Sequence, residues 1–576
     1  MRMSLAVLAL LAVSNATAGP VTSPAGDRSI DIAISAPVPD PSGRIPWIEV
    51  QLRFEGLRAP RGAPLMHLPL VLDNVQGVAD KLERLTARDA HGPLELAADS
   101  SGSGANIERV WSPRRSVSGD LIVRYRVPIS DLPNDRGAAP AYELRSEAGA
   151  FSGLGSMFIL QPEAPGAYKL QIRWHLAALG RDGLGVSSFG VGDVTVDAGP
   201  IERLSLAYFM GGRVGHYPAG LPPRAVFLGV WEGAPPYDIA GMMGWTEHLH
   251  AYYERFFHDS SDATYIVFAR SNPITAGSGI GLLHSFLVTY GPRTQADELR
   301  TVTAHEMLHT WVQSLDEPQG LASSWFGEGL AVYYERELPL RSGAFTPTEF
   351  LQDLNATAAR YYTDALIHTP NAEIPEGFWR DTRIRVLPYD RGSLYFATVN
   401  SAVLAASHGA RSLDDLVLAM LQRRRSGEAM DLDAWVALLR AQLGPEGPAA
   451  LRAMLAGATV LPASGGFGPC FERTTALLRR YQLGFDPATL ITQPRIVRGL
   501  IAGSAAALAG VRDGDEILHP VPQDNVQADQ QGTLSLQLRR GAQTLAVTYL
   551  PRGEAVEAYQ WRRVPRVADR QCRRRS

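Results

Sequence analysis

His305-Glu306-Met307-Leu308-His309 and Trp325-Phe326-Gly327-Glu328-Gly329-Leu330 are the two stretches on which the reading of this chain turns. The first lies in a segment whose apolar residues, Leu299, Val302, Leu308 and Trp311, recur with helical spacing, and this predicts a helix over 296–314. Residues four apart share a helix face, so the imidazoles of His305 and His309 can hold one cation while Glu306 borders the same site. The competing reading is a surface helix in which Glu306 and His309 merely pair. Glu328 decides between them. It follows His309 after 18 residues, in a second helix predicted over 325–338 with Ser324 as cap and Pro339 as stop. Two histidines and a carboxylate fill three positions of a zinc ion and leave the fourth open for chemistry. Glu335 lies on the same face as Glu328 and either orients a zinc-binding histidine from behind or is an ordinary solvated helix glutamate.

Working outward, residues 29–207 read as short alternating strands broken by Gly, Pro and Asp, as in IPWIEVQLRF at 45–54, DLIVRYRVPI at 120–129 and YKLQIRWHL at 168–176. An all-β domain is expected there. From 208 to 345 a strand-like TYIVFA at 264–269 alternates with helical segments, and 346–456 is predominantly helical. Thr346-Pro347-Thr348-Glu349 is a capping box with proline at the first helical position, Ser412 and Asp415 form a similar pair, and Gly444-Pro445 is a helix stop. A Gly/Pro-rich linker near 457–469 leads to a second β region over 470–552, ending in the hairpin at 534–550, and then to a basic tail over 553–576. The fold class is therefore multidomain α+β.

Composition removes several alternatives. A chain of 576 residues exceeds one ordinary core. With 55 basic and 59 acidic residues the net charge is -4, which gives no field to attract nucleic acid. Lys81 and Lys169 are the only lysines and neither follows glycine, so a P-loop is excluded. The opening MRMSLAVLALLAVSNATAG has a basic start, an apolar run and Ala16-Thr17-Ala18, so 1–18 is expected to be a cleaved secretory signal. No later stretch is apolar enough for a transmembrane anchor, and the expected location is outside the inner membrane, in the periplasm. Cys470 and Cys572 are the only cysteines; they flank the second β region, and after export they are expected to form a disulfide.

The residues quoted so far resemble the glycyl aminopeptidase family of gluzincin metallopeptidases, related in its catalytic domain to aminopeptidase N. HEMLHTW with Pro318, WFGEGLAVYYERELPLRSG, TPTEFL, LPYDRG and SLDDL stand in the family's order and spacing. The resemblance implies His305, His309 and Glu328 as ligands of one zinc ion per chain, Glu306 as general base, and Tyr389 as the donor that stabilises the tetrahedral transition state. It also implies an N-terminal β domain, a thermolysin-like catalytic domain over 208–345 with a helical extension, and a PDZ-like domain. In that domain Leu483, Gly484 and Phe485 would form a carboxylate-binding loop for a C-terminal peptide.

The family's GGLEH-like strand corresponds to Gly279-Ile280-Gly281-Leu282-Leu283-His284, which makes Gly281 and His284 substrate-binding candidates. Leu283 stands where that strand carries a glutamate for the substrate's α-amine, and Val312 and Leu315 replace the family's usual polar residues after the tryptophan. The functional expectation is an exported zinc metallopeptidase that cleaves peptides or unfolded polypeptide through a zinc-activated water, with Glu306 as base. One alternative is an aminopeptidase for small N-terminal residues, and another is a non-catalytic PDZ peptide-binding envelope protein.

Overall fold

A computed structural model describes residues 28–130, 139–221, 225–272, 274–521 and 523–573. The signal segment 1–18 lies outside the described residues. The chain divides into two compact units: a β-rich one containing the described residues up to Met243 together with Asp262–Arg293, and a helix-rich one containing Gly244–Ser261 and the described residues from Thr294 onward.

The β-rich unit begins with the alternation seen in the sequence. In Trp47–Glu55, the side chains of Ile48, Val50, Leu52 and Phe54 point into the core while Glu49 and Arg53 face out. Full burial of such a side chain contributes about 1.5–3 kcal/mol, which fixes the register, because a one-residue slip would turn every apolar group outward. This strand pairs with Ser29–Ser35 and Leu121–Pro128 in a seven-stranded sheet. A second sheet is built on Met66–Leu72, Asn106–Pro113 and Leu96–Ser103.

The expected boundary between residues 207 and 208 falls at the start of a strand that belongs to what precedes it. Tyr208–Gly212 is hydrogen-bonded between Ala150–Leu154 and Leu184–Ser187, and the ladder carries the β region past that point. The last sheet of the unit has Phe227–Trp231, Tyr265–Ser271 and Ser285–Tyr290 in parallel, with Gly279–Leu282 as an antiparallel edge. Its inner strands are buried along nearly their whole length, as in sheets covered on both faces.

In the helix-rich unit the first metal-motif helix spans Ala296–Leu308, shorter than the expected 296–314, and the chain turns over His309–Val312. The second spans Ser324–Ser342 and passes through Pro339, which was expected to stop it. The stop is Gly343, at φ +86°, a left-handed position that glycine takes without a Cβ penalty. Pro347–Thr363 starts with the anticipated box, the Thr346 N–H donating to Glu349 Oε2 at 2.7 Å and the Glu349 N–H donating to Thr346 Oγ1 at 3.2 Å.

The C-terminal β region consists of the three-stranded sheet Glu516–Ile517, Leu534–Arg540 and Gln543–Tyr549, and a long ribbon of Phe471–Tyr481 against Arg552–Arg563. Residues 553–563, read from the sequence as the start of a basic tail, are therefore strand. Trp561 is buried because Phe467 stacks edge-on against it and Asn355 bonds both its N–H and its C=O. The 457–469 segment is held as well: Val460 bonds the hydroxyls of Tyr361 and Tyr362 at 2.9 Å each. Cys470 and Cys572 form a disulfide with Cα atoms 5.4 Å apart.

Candidate metal centre

The two metal-motif helices bring three ligand atoms to one point. His305 Nε2 and His309 Nε2 are 3.1 Å apart, and Glu328 Oε2 lies 3.4 and 3.6 Å from them. Ligands about 2.0–2.1 Å from a tetrahedral ion sit roughly 3.3 Å from each other, so the three atoms fit such an ion without rearrangement. The other ring nitrogens face away from this point. His305 Nδ1 donates to Glu335 Oε2 at 2.6 Å, and His309 Nδ1 donates to the Val312 carbonyl at 3.1 Å. Donation from Nδ1 assigns the proton there and leaves Nε2 as an electron-pair donor toward the cluster. The shortened first helix makes the second contact possible, because the turn after His309 folds the Val312 carbonyl back to the ring.

Electrostatics point the same way. Glu328 is 1% exposed, and neither of its oxygens has a hydrogen-bond partner. Burial pushes its carboxyl up to about 7 and pushes His309 down to about 3, helped by the neighbouring His305. Such a pocket resists carrying charge unless a cation supplies the balance. Among the described residues, this is the one His/Cys/Asp/Glu cluster with metal-binding geometry.

Tyr389 comes from the helix Leu387–Ala406, and its ring lies 6.3 Å from that of His305, centroid to centroid. What brings this helix so close was not read from the sequence. A Cβ on Gly329 would sit 2.6 Å from Gly392 Cα, and one on Gly392 would sit 2.5 Å from the Trp325 carbonyl oxygen. The two helices therefore touch backbone to backbone at a glycine pair. The signal was present, since a glycine inside a helical pattern often marks close approach.

Behind Glu335 lies a buried polar network. Arg336 pairs with Asp353 and donates to Thr357 Oγ1 at 2.8 Å, and Arg360 grips both oxygens of Asp390. Burial, followed by the charge of Asp353, raises Glu335 well above the ordinary carboxylate range.

The remaining candidates are placed within their own units. Gly281 is on the edge strand Gly279–Leu282 of the β-rich unit, with His284 in the turn after it at φ +44°. Leu483 and Phe485 are buried in the core of the C-terminal β region, and Gly484 takes φ +94° against Ser504 and Ala506. The chain after Phe485 is not an extended edge: Asp486 caps a 3-10 turn over Pro487–Ile491.

Comparison with known proteins gives one family match and several similar structures. The family model of the M61 glycyl aminopeptidases matches residues 298–369, the stretch that carries all three metal-cluster residues. An aminopeptidase N family protein from Idiomarina loihiensis has a similar structure, with a TM-score of 0.65 at 15% identity over 92% of this chain and 98% of its own. An M1 zinc metallopeptidase from Deinococcus radiodurans is also similar, with a TM-score of 0.47 at 16% identity over 76% of this chain and 95% of its own. No curated protein matches the sequence. The chain shares its fold with the Idiomarina loihiensis protein. Among the described residues, no helix is long and apolar enough to cross a membrane.

Proposed function

We propose that this chain is an exported zinc metallopeptidase that hydrolyses peptide bonds. The observation that carries the reading is the convergence of His305 Nε2, His309 Nε2 and Glu328 Oε2 within 3.6 Å, with both Nδ1 atoms turned to acceptors. Zinc held by these three residues would act as a Lewis acid on water and on the scissile carbonyl. Glu306, fully buried beside His305, takes the proton from the attacking water and delivers it to the leaving amine. Tyr389 donates its phenolic hydrogen to the oxyanion as the carbonyl becomes tetrahedral, where a donor is most effective because charge is growing. Glu335 holds the ring of His305 and, through it, the angle at which Nε2 presents its electron pair.

Metal analysis combined with a peptide-library cleavage assay tests this reading. About one equivalent of zinc and chelator-sensitive cleavage are expected, and zinc without cleavage would remove it. A more specific reading is removal of small N-terminal residues, favoured by the glycyl aminopeptidase match. Leu283 opposes it, because an apolar side chain gives an α-ammonium no charge partner. Comparing a peptide with its N-acetylated form separates the two, since an exopeptidase loses the blocked one. The C-terminal β region is read as a PDZ-like module that braces the helical part. Arg385 and Thr382 bond Asp524 there, and Pro487 takes a donor out of the chain where a peptide strand would have to pair.

A further inference from the structure

The β-rich unit contains a cavity of about 510 Å³ whose polar lining includes Arg145, Glu147, Glu232, Arg270, Ser271 and Tyr290. None of these residues belongs to the metal cluster. Glu232 follows the strand Phe227–Trp231, and Ser271 and Tyr290 end the two parallel strands beside it. The cavity thus lies at the carboxyl ends of a parallel sheet, where open α/β folds commonly take ligands.

Two buried groups of opposite charge line it with an atom unmatched. Glu232 is 1% exposed; its Oε1 accepts from Ser152 Oγ, whereas Oε2 has no partner. Arg270 is equally buried. Its terminal nitrogens donate to the carbonyls of Glu143 and Ala141 at 2.8 Å each and to Glu143 Oε1 at 3.1 Å, while Nε has no partner. Folded proteins seldom leave buried polar atoms unmatched, because each costs about 1–3 kcal/mol. Glu147, held by Ser271 Oγ, adds a second carboxylate, and Arg145 a second guanidinium. A simple anion or cation would answer one sign and leave the other.

We propose that this cavity binds a small zwitterion, a free amino acid or a dipeptide, with its ammonium on Glu232 Oε2 and its carboxylate on Arg270 Nε. It rests on the proposed function only in that peptide hydrolysis releases such molecules. Burial, the largest cause, pushes Glu232 up to about 7 although Ser152 and Arg270 act the other way, and an ammonium on this carboxyl would favour its charged form.

The test is calorimetric titration of glycylglycine into the full-length Glu306→Gln chain, before and after adding Glu232→Gln. A saturable binding event is expected that weakens at least tenfold with Glu232→Gln at unchanged melting temperature. It should weaken as much for N-acetylglycylglycine, which lacks the ammonium, and for glycylglycinamide, which lacks the carboxylate. Should Glu232→Gln not fold, Glu147→Gln must give the same loss. Absence of saturable binding, equal binding of either blocked peptide, or binding indifferent to both glutamate changes would overturn the proposal. Hydrolysis is not read in this experiment, so its failure leaves the peptidase reading standing, and loss of that reading leaves the titration intact.

Discussion

The candidate metal centre and the anchors of the C-terminal β ribbon, Trp561, Cys470 and Cys572, are all buried and join distant elements, yet they are held in different ways. At the candidate metal centre, polar atoms converge on a point that they do not satisfy among themselves, and a bound cation would supply the charge balance. In the ribbon two anchors are closed: Asn355 matches Trp561 at both backbone groups, and Cys470 is bonded to Cys572 across a separation of 102 residues. An unsatisfied cluster is arranged to bind something, whereas a satisfied one is arranged to stay folded.

That contrast can be broken from either side. The largest effect on activity is expected from Glu306→Gln, which should lower kcat by about 10²–10⁴-fold while zinc content and melting temperature stay unchanged. Equal turnover in a zinc-loaded variant would end the mechanism. Tyr389→Phe should lower kcat by about 10²–10³-fold with little change in KM, and matched changes in both constants would deny it the oxyanion role.

Gly329→Ala probes the backbone contact between helices. The added Cβ meets Gly392 Cα, so both stability and activity should fall, by about 1–3 kcal/mol in denaturant unfolding, and a neutral outcome would show that the helices can part freely. For Glu335→Gln the expected loss is about 10–100-fold in zinc affinity, measured by chelator competition, without loss of fold. The smallest effect on activity belongs to the ribbon. Replacing Cys470 and Cys572 together by serine should leave kcat/KM as it is and reduce unfolding stability by about 2–4 kcal/mol, and loss of activity at a temperature where the chain stays folded would tie the staple to the site.

The candidate metal ligands were legible because their geometry is local. An i,i+4 pair on a helix fixes two ligands whatever surrounds it, and Glu328 follows in the next helix of the same hairpin-like sequence. The β strands at 45–54 and 168–176 were legible for the same reason, since a period of two is written within each strand. Helix ends were less so. Pro339 breaks a helix only when the lost hydrogen bond is not outweighed by packing, and here the whole segment from Ser324 to Leu340 is buried.

By itself, the sequence determined the three candidate ligands that the structure brings together, the alternation of the N-terminal strands and the cysteine pair, because each depends on residue identity at short spacing or on there being only one choice. Tertiary structure alone decided that Tyr389 reaches the site through the Gly329–Gly392 contact, that the chain from 553 to 563 is strand and not tail, and that Glu232 and Arg270 meet at one cavity. Each of those is a pairing between residues far apart in the chain, and no local period records which distant partner a buried group will find.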